Sequence, residues 1–153
     1  MKVELQVHID APIETVFDAI AHIDSFMRAS PAIVGVEYLT ERKRGVGTRF
    51  RETRRMGNRE ASTELEITEY DPPERVRLVS EAGGAVWDTL FAVRPTNNGT
   101  VLAMTMTATA RNLISRLLLP LMRKPIARAI EDDLQAVKKW CEADGTRDNA
   151  ARG

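Results

Sequence analysis

The stretch "HIDAPIETVFDAI", His8 to Ile20, decides how the chain is read. Before it, Val3, Leu5, Val7 and Ile9 alternate with Lys2, Glu4, Gln6 and His8. That period of two belongs to a half-buried strand. After it, Ile13, Val16, Phe17 and Ile20 recur at helical spacing. Pro12 stands at the change. Its missing N–H forbids another ladder bond, and its fixed φ suits a strand end or the first turn of a helix. A strand therefore feeds a helix across a joint of one or two residues.

Beyond that joint, Asp24 is predicted to cap a second short helix, Ser25 to Ala29, ended by Pro31. A strand is expected near Val34 to Leu39, followed by the charged, glycine-rich loop "TERKRGVGT". The next hairpins can be tested by register, because a slip of one residue moves every side chain to the other face. A turn at Gly57-Asn58 sets Phe50 opposite Leu65 and Thr48 opposite Ile67. The same turn sets Arg55, Arg51 and Arg49 opposite Glu60, Glu64 and Glu66. A turn at "DPPE", Asp71 to Glu74, sets Ile67 opposite Leu78. A turn at Gly83-Gly84 pairs Trp87 with Ser80, Thr89 with Leu78 and Phe91 with Val76. The turn "TNNG" pairs Phe91 with Met104, Thr89 with Met106 and Trp87 with Ala108. A turn centred on Asn98-Gly99 would keep the same faces. The result is an antiparallel meander with one apolar and one wet face.

A long amphipathic helix can cover the apolar face. Ile126, Ile130, Leu134, Val137 and Cys141 step by three or four along one side. Pro120 and Pro125 are expected to kink it or break it from the leucine-rich "NLISRLLLPLM". That earlier segment reads as a packed, kinked helix start; a lid or membrane-contact surface is the alternative.

Twenty-two basic and 22 acidic residues cancel over 153 positions. There is no global field to draw in nucleic acid or an anionic membrane, and the basic run "RKRGVGTRFRETRR" reads as an ion-pair ladder rather than a nucleic-acid site. One cysteine, Cys141, permits neither an internal disulfide nor a cysteine metal cage. His8 and His22 lack metal-ligand spacing, and "GVG" lacks the context of a phosphate loop, so no metal or cofactor is expected. Nothing resembles a signal peptide, and a cytoplasmic location is expected. Residues 1–144 read as one domain and 145–153 as a flexible tail.

The order of elements, with Ile9, Ala11, Pro12, Val16 and Phe17, with Gly45-Val46-Gly47 and with "YDPPERVRL", resembles the START-like, or polyketide cyclase (SRPBCC), superfamily. The resemblance implies an α+β helix-grip fold: a curved antiparallel sheet wrapped around the C-terminal helix, with two short helices closing one end. It also implies a ligand cavity between sheet and helix. Phe50, Leu65, Leu78 and Trp87 would line it, with Thr89, Phe91, Met104 and Met106. From the helix would come Ile126, Ile130 and Leu134. A small hydrophobic molecule, such as a lipid, polyketide or isoprenoid, is the expected partner. The alternatives are a metal-free polyketide cyclase or dehydratase, and a protein-interaction module acting through Arg42 to Arg44 or the leucine-rich segment. Glu52 and Arg54 fall on the same face as Phe50. They are expected to lie wet, near the hairpin tip and beyond the long helix. In the enzyme reading Glu52 would be the base and Arg54 would stabilise an enolate.

Overall fold

The first strand, β1 (Lys2–Ile9), stops one residue before the predicted joint. Ile9 is fully buried there, and Thr100 Oγ1 from another strand donates to the Ala11 carbonyl at 2.7 Å. Pro12 stays extended at ψ 152°, and its carbonyl accepts the Val16 N–H at 3.2 Å, starting α1 (Ile13–Ala21). The second helix, α2 (Ile23–Ala29), begins earlier than the Asp24 cap predicts. His22 takes the cap position, and Asp24 lies inside the first turn with its Oδ2 on Arg28 at 3.4 Å. The computed structural model describes residues 1–144 in full and 145–152 by backbone only, so the tail expected at 145–153 lies outside the fully described residues.

Then come β2 (Ile33–Tyr38), β3 (Arg49–Met56), β4 (Arg59–Asp71), β5 (Arg75–Ala82), β6 (Ala85–Thr96), β7 (Gly99–Ala110) and α3 (Leu113–Arg152). They form a seven-stranded antiparallel sheet in the order β1-β7-β6-β5-β4-β3-β2. β1 and β2 thus sit at opposite edges. The α1–α2 pair carries the chain from one edge to the other, which is why the Ala-Pro joint must take it out of the sheet.

The expected registers are present. Phe50 faces Leu65, Ile67 faces Leu78, Thr89 faces Leu78, and Phe91 faces Met104. Thr96 pairs with Gly99, which selects the "TNNG" turn over one centred on Asn98-Gly99. Two of the three predicted charge pairs close: Arg51 Nη2 meets Glu64 at 2.8 Å and Arg55 meets Glu60 at 3.2 Å. Arg49 instead reaches diagonally to Glu64 at 3.7 Å, not to Glu66 opposite it. Thr68 is an extra residue between Ile67 and Glu69, a bulge that bends β4. It lets Tyr70 stack edge-on against Phe17 of α1 and hydrogen-bond His22 Nε2 at 3.0 Å.

The second half of α3 packs as its spacing predicts: Ile130, Leu134, Val137 and Cys141 are buried. Burial pushes the Cys141 thiol up to about 12, with Asp144, Glu142 and Asp18 adding to the shift, so it is an inert core group. The first half departs from expectation. Pro120 and Pro125 lie inside one continuous helix and do not divide it. Nor is the leucine-rich segment packed: Leu113, Ile114, Leu117 and Leu121 are 68–75 % exposed, and only Leu119 is buried among its leucines.

The start of α3 is clamped by the β5–β6 turn. Asn112 Oδ1 accepts the Ser115 N–H at 2.8 Å as the helix cap, and Ser115 Oγ donates to the Gly83 carbonyl at 2.9 Å. Gly84, at φ +73°, has Asn112 Nδ2 and Ser115 Oγ each 2.4 Å from where a Cβ would stand. Gly57 has a similar φ of +63° and open space. Gly57→Ala is therefore expected to cost about 1 kcal/mol of backbone strain. Gly84→Ala should cost at least about 1–3 kcal/mol more, because the cap must move. Urea unfolding of the two variants reads the difference; equal losses would show that the cap yields freely.

Candidate functional site

The first half of α3 touches the sheet through Leu119, packed with Ala85 and Ala108, and elsewhere stands off its apolar face. Between them lies a cavity of about 570 Å³. That volume is in the range of small-molecule sites. Ile20, Ala21, Ile23 and Phe26 from α1 and α2 close one end. The exposed lining residues are Met56, Ala82 and Gly83 at the turn tips and Leu118, Met122 and Ala129 on α3. The opening therefore lies between the β3–β4 and β5–β6 turns and α3.

Most of the predicted lining is there. Phe50, Leu65, Leu78, Trp87, Thr89, Phe91, Met104 and Met106 come from the sheet, and Ile126 and Ile130 from α3. Leu134 is buried but packs in the core and does not reach the cavity. It lies one turn beyond Ile130, where α3 has closed onto the sheet. Leu78, Thr89 and Met106 form one row across β5, β6 and β7, with the Thr89 hydroxyl in the centre.

Glu52 and Arg54 are not wet and not beyond the helix. They alternate on β3, so both point inward, and both line the cavity. Glu52 is 9 % exposed and the Arg54 side chain 27 %. The expectation overlooked Asp133, which lies inside the predicted helix, one turn past Ile130, and meets them. Arg54 Nε bonds Glu52 Oε1. Arg54 Nη1 donates to Asp133 Oδ1 at 3.2 Å, and Nη2 to Asp133 Oδ2 at 2.9 Å. Ser30, at the C-terminal cap of α2, donates its hydroxyl to Asp133 Oδ1 at 3.0 Å. The cluster joins α2, α3 and β3. Burial works to lower the Arg54 pKa, but the charges and hydrogen bonds of Asp133 and Glu52 outweigh it and raise the value above that of ordinary arginine. Arg54 stays charged.

Two carboxylates share one guanidinium, so the cluster carries a formal charge of −1. Both Asp133 oxygens are engaged. Of Glu52, only Oε1 is held; Oε2 has no hydrogen-bond partner among the described residues. A carboxylate oxygen in an otherwise apolar wall can accept a bond from a hydroxyl, an amine or an acidic C–H. Sequence reasoning missed Asp133 and Ser30. Asp133 carried a signal: it lies three residues after Ile130 and four before Val137, on their face. The other sequence candidates are elsewhere. His8 lies exposed on β1, and His22 is held between Asp18 at 2.8 Å and Tyr70. Arg42, Lys43 and Arg44 lie in the β2–β3 loop, with Lys43 Nζ 5.4 Å from the centre of the Tyr38 ring.

Sheet, gripped helix and the apolar cavity between them define a helix-grip protein of the START-like class. A family profile described as polyketide cyclase / dehydrase and lipid transport matches residues 1–142, and the chain belongs to that family. Solved structures repeat the fold at low identity. The protein TTHA0849 from Thermus thermophilus has a TM-score of 0.77 at 20 % identity, over 94 % of this chain and 99 % of that one. A START superfamily protein from Mycobacterium smegmatis has a TM-score of 0.75 at 16 % identity, over 93 % and 97 %. The di-domain ARO/CYC StfQ of the steffimycin biosynthetic pathway has a TM-score of 0.80 at 13 % identity; the match covers 95 % of this chain and 51 % of that one. No curated protein sequence gives a significant match.

Removing one partner from a fully buried ion pair costs roughly 3–5 kcal/mol. Solvent at Arg54 puts Arg54→Ala and Asp133→Ala at the lower end of that range. The double variant should cost at least about 1 kcal/mol less than the sum. Urea unfolding of the four proteins checks the cycle, and strict additivity would show that the bridge contributes nothing.

Proposed function

We propose that the protein binds a small, mostly apolar molecule, such as a lipid, polyketide or isoprenoid, between the sheet and α3, with a hydrogen-bond donor of that molecule on Glu52 Oε2. The cavity carries this reading: its wall is apolar apart from a few hydroxyls and one polar cluster. Methionines at positions 56, 104, 106 and 122 add an adaptable surface that suits molecules of varied outline.

Native mass spectrometry of freshly purified protein should show a co-purified apolar molecule, and the emptied protein should take up the fluorophore ANS. Thr89→Trp places an indole at the centre of the cavity floor. It should weaken ANS binding at least tenfold and leave the unfolding midpoint near that of the parent, because the indole has room. Unfolding caused by Thr89→Trp would show that the floor is packed core and would end the proposal.

Glu52 also favours a second reading, a metal-free cyclase or dehydratase type of enzyme. A carboxylate with one open oxygen in an apolar cavity can remove a proton from the carbon between two carbonyls. The Arg54 guanidinium beside it would offset the enolate charge. A long-chain β-diketone deuterated at that carbon separates the readings. In the enzyme reading the protein speeds loss of the label, and Glu52→Gln abolishes the effect while binding persists. In the binding reading the exchange rate equals that in buffer.

A further inference from the structure

The first half of α3 is apolar on two opposite sides. Its inner side, with Ser115, Leu119, Ile126 and Ile130, lines the cavity. Its outer stripe is Leu113, Ile114, Leu117 and Leu121, at 71 %, 70 %, 68 % and 75 % exposure. A helix apolar on both sides is expected to have an apolar partner on each. The cavity supplies one; the outer stripe has none in the fold.

The charge around the stripe says what the second partner is. From Arg111 to Ile130 there are five cations, Arg111, Arg116, Arg123, Lys124 and Arg128, and no acidic residue. Arg111 is paired with Glu81 at 2.8 Å. Arg116, Arg123, Lys124 and Arg128 are exposed and make no ion pair among the described residues. Lys124 lies seven residues after Leu117, and Arg128 seven after Leu121, so the apolar stripe runs into two cations on the same side. Arg116 and Arg123 stand on its flank. In a chain of balanced charge, four cations without an ion pair among the described residues thus surround its largest exposed apolar row. A second copy of this chain fits poorly, because a two-fold contact brings identical patches, and so like charges, together. An anionic lipid surface fits both features: the leucines enter the acyl boundary and the cations meet the headgroups.

We propose that α3 docks the protein on anionic bilayers through Leu113, Ile114, Leu117 and Leu121, with Arg116, Arg123, Lys124 and Arg128 on the headgroups. Docking is peripheral: no described helix is long and apolar enough to cross a membrane. The cavity opening adjoins this surface. Leu118 and Met122, 49 % and 43 % exposed, belong both to the lining and to this stretch of α3, and Met56, 61 % exposed, faces them from the β3–β4 turn. The docked protein would hold its opening against the acyl region.

Flotation with vesicles tests this. The protein should float with phosphatidylcholine vesicles containing 30 % phosphatidylglycerol and stay behind with phosphatidylcholine alone. Leu117→Glu with Leu121→Glu, both on exposed positions outside the cavity, should abolish flotation while the unfolding midpoint is kept. Neutralising Arg116, Arg123, Lys124 and Arg128 to Gln should weaken binding about fivefold per charge. Thr89→Trp, which blocks the cavity, should float like the parent, so docking is judged apart from ligand binding. The proposal is overturned if the parent ignores anionic vesicles, or if the double glutamate variant still floats. It is overturned equally if sedimentation shows a dimer that the glutamates dissolve while vesicles remain unbound, which would make the occupant a second copy.

Discussion

One helix cannot cover seven strands. Strands lie about 4.8 Å apart, so the sheet is roughly 29 Å across, while a helix with its side chains is about 10–12 Å wide. The second half of α3 settles over β1 and β7 through Leu134, Val137 and Cys141. The α1–α2 pair, strung between the two edges, covers another part. The inner face of β3 to β6 is left over, and it is apolar by register. The cavity is that remainder. Its existence follows from the mismatch in width, and its shape from where α3 stands off the sheet. The Asp133–Arg54 bridge is a polar strut across that gap, tying helix to strand where no apolar contact can.

Registers were legible because several independent signals agreed on each turn. At Gly57-Asn58 the apolar pair Phe50–Leu65 and the charge pairs Arg51–Glu64 and Arg55–Glu60 all select one alignment. Even so, pairing of backbones does not dictate pairing of long side chains. Arg49 stands opposite Glu66 yet reaches Glu64. The helix was less legible. Proline costs an α-helix one hydrogen bond and a clash with the carbonyl four residues back. At Pro120 and Pro125 the residues themselves and Arg116 and Leu121, four before each, are exposed, so water can satisfy the freed carbonyls and the helix runs on. A break read there detaches the leucine-rich segment but leaves Ile126 to Cys141, with Asp133 among them, as one helix.

The misplacement of Glu52 and Arg54 has a separate cause. With Asp133 not matched to it, a charged pair on the apolar face of β3 has no partner in view, and desolvation alone would push Glu52 and Arg54 into water. Asp133 reverses the balance. It sits within hydrogen-bond reach of Arg54 only because Ile130 and Val137, on the same helical face, are buried. A lone acid on an apolar stripe is therefore worth matching against every unpaired base on the facing sheet. Spacing gives its direction but not its distance, and the distance depends on the tertiary arrangement.

The cluster and the outer stripe break the ordinary rules in opposite senses. At the cluster, charge is buried; on α3, leucine is exposed. Each departure is costly in the isolated fold, and each is concentrated at the cavity or its opening rather than scattered over the surface. Glu52 retains an unbonded oxygen because Arg54, flanked by two carboxylates, spends its three nitrogens on Glu52 Oε1 and both oxygens of Asp133. Had a second guanidinium been present, the charge would close on itself and only neutral hydroxyls would be left in the wall. With one, the wall keeps one unbonded carboxylate oxygen beside those hydroxyls, where a donor is held more strongly than in water. On the proposed function, an apolar guest with one polar end would have a defined direction in the cavity, its polar end at β3 and its remaining bulk extending toward the opening under α3.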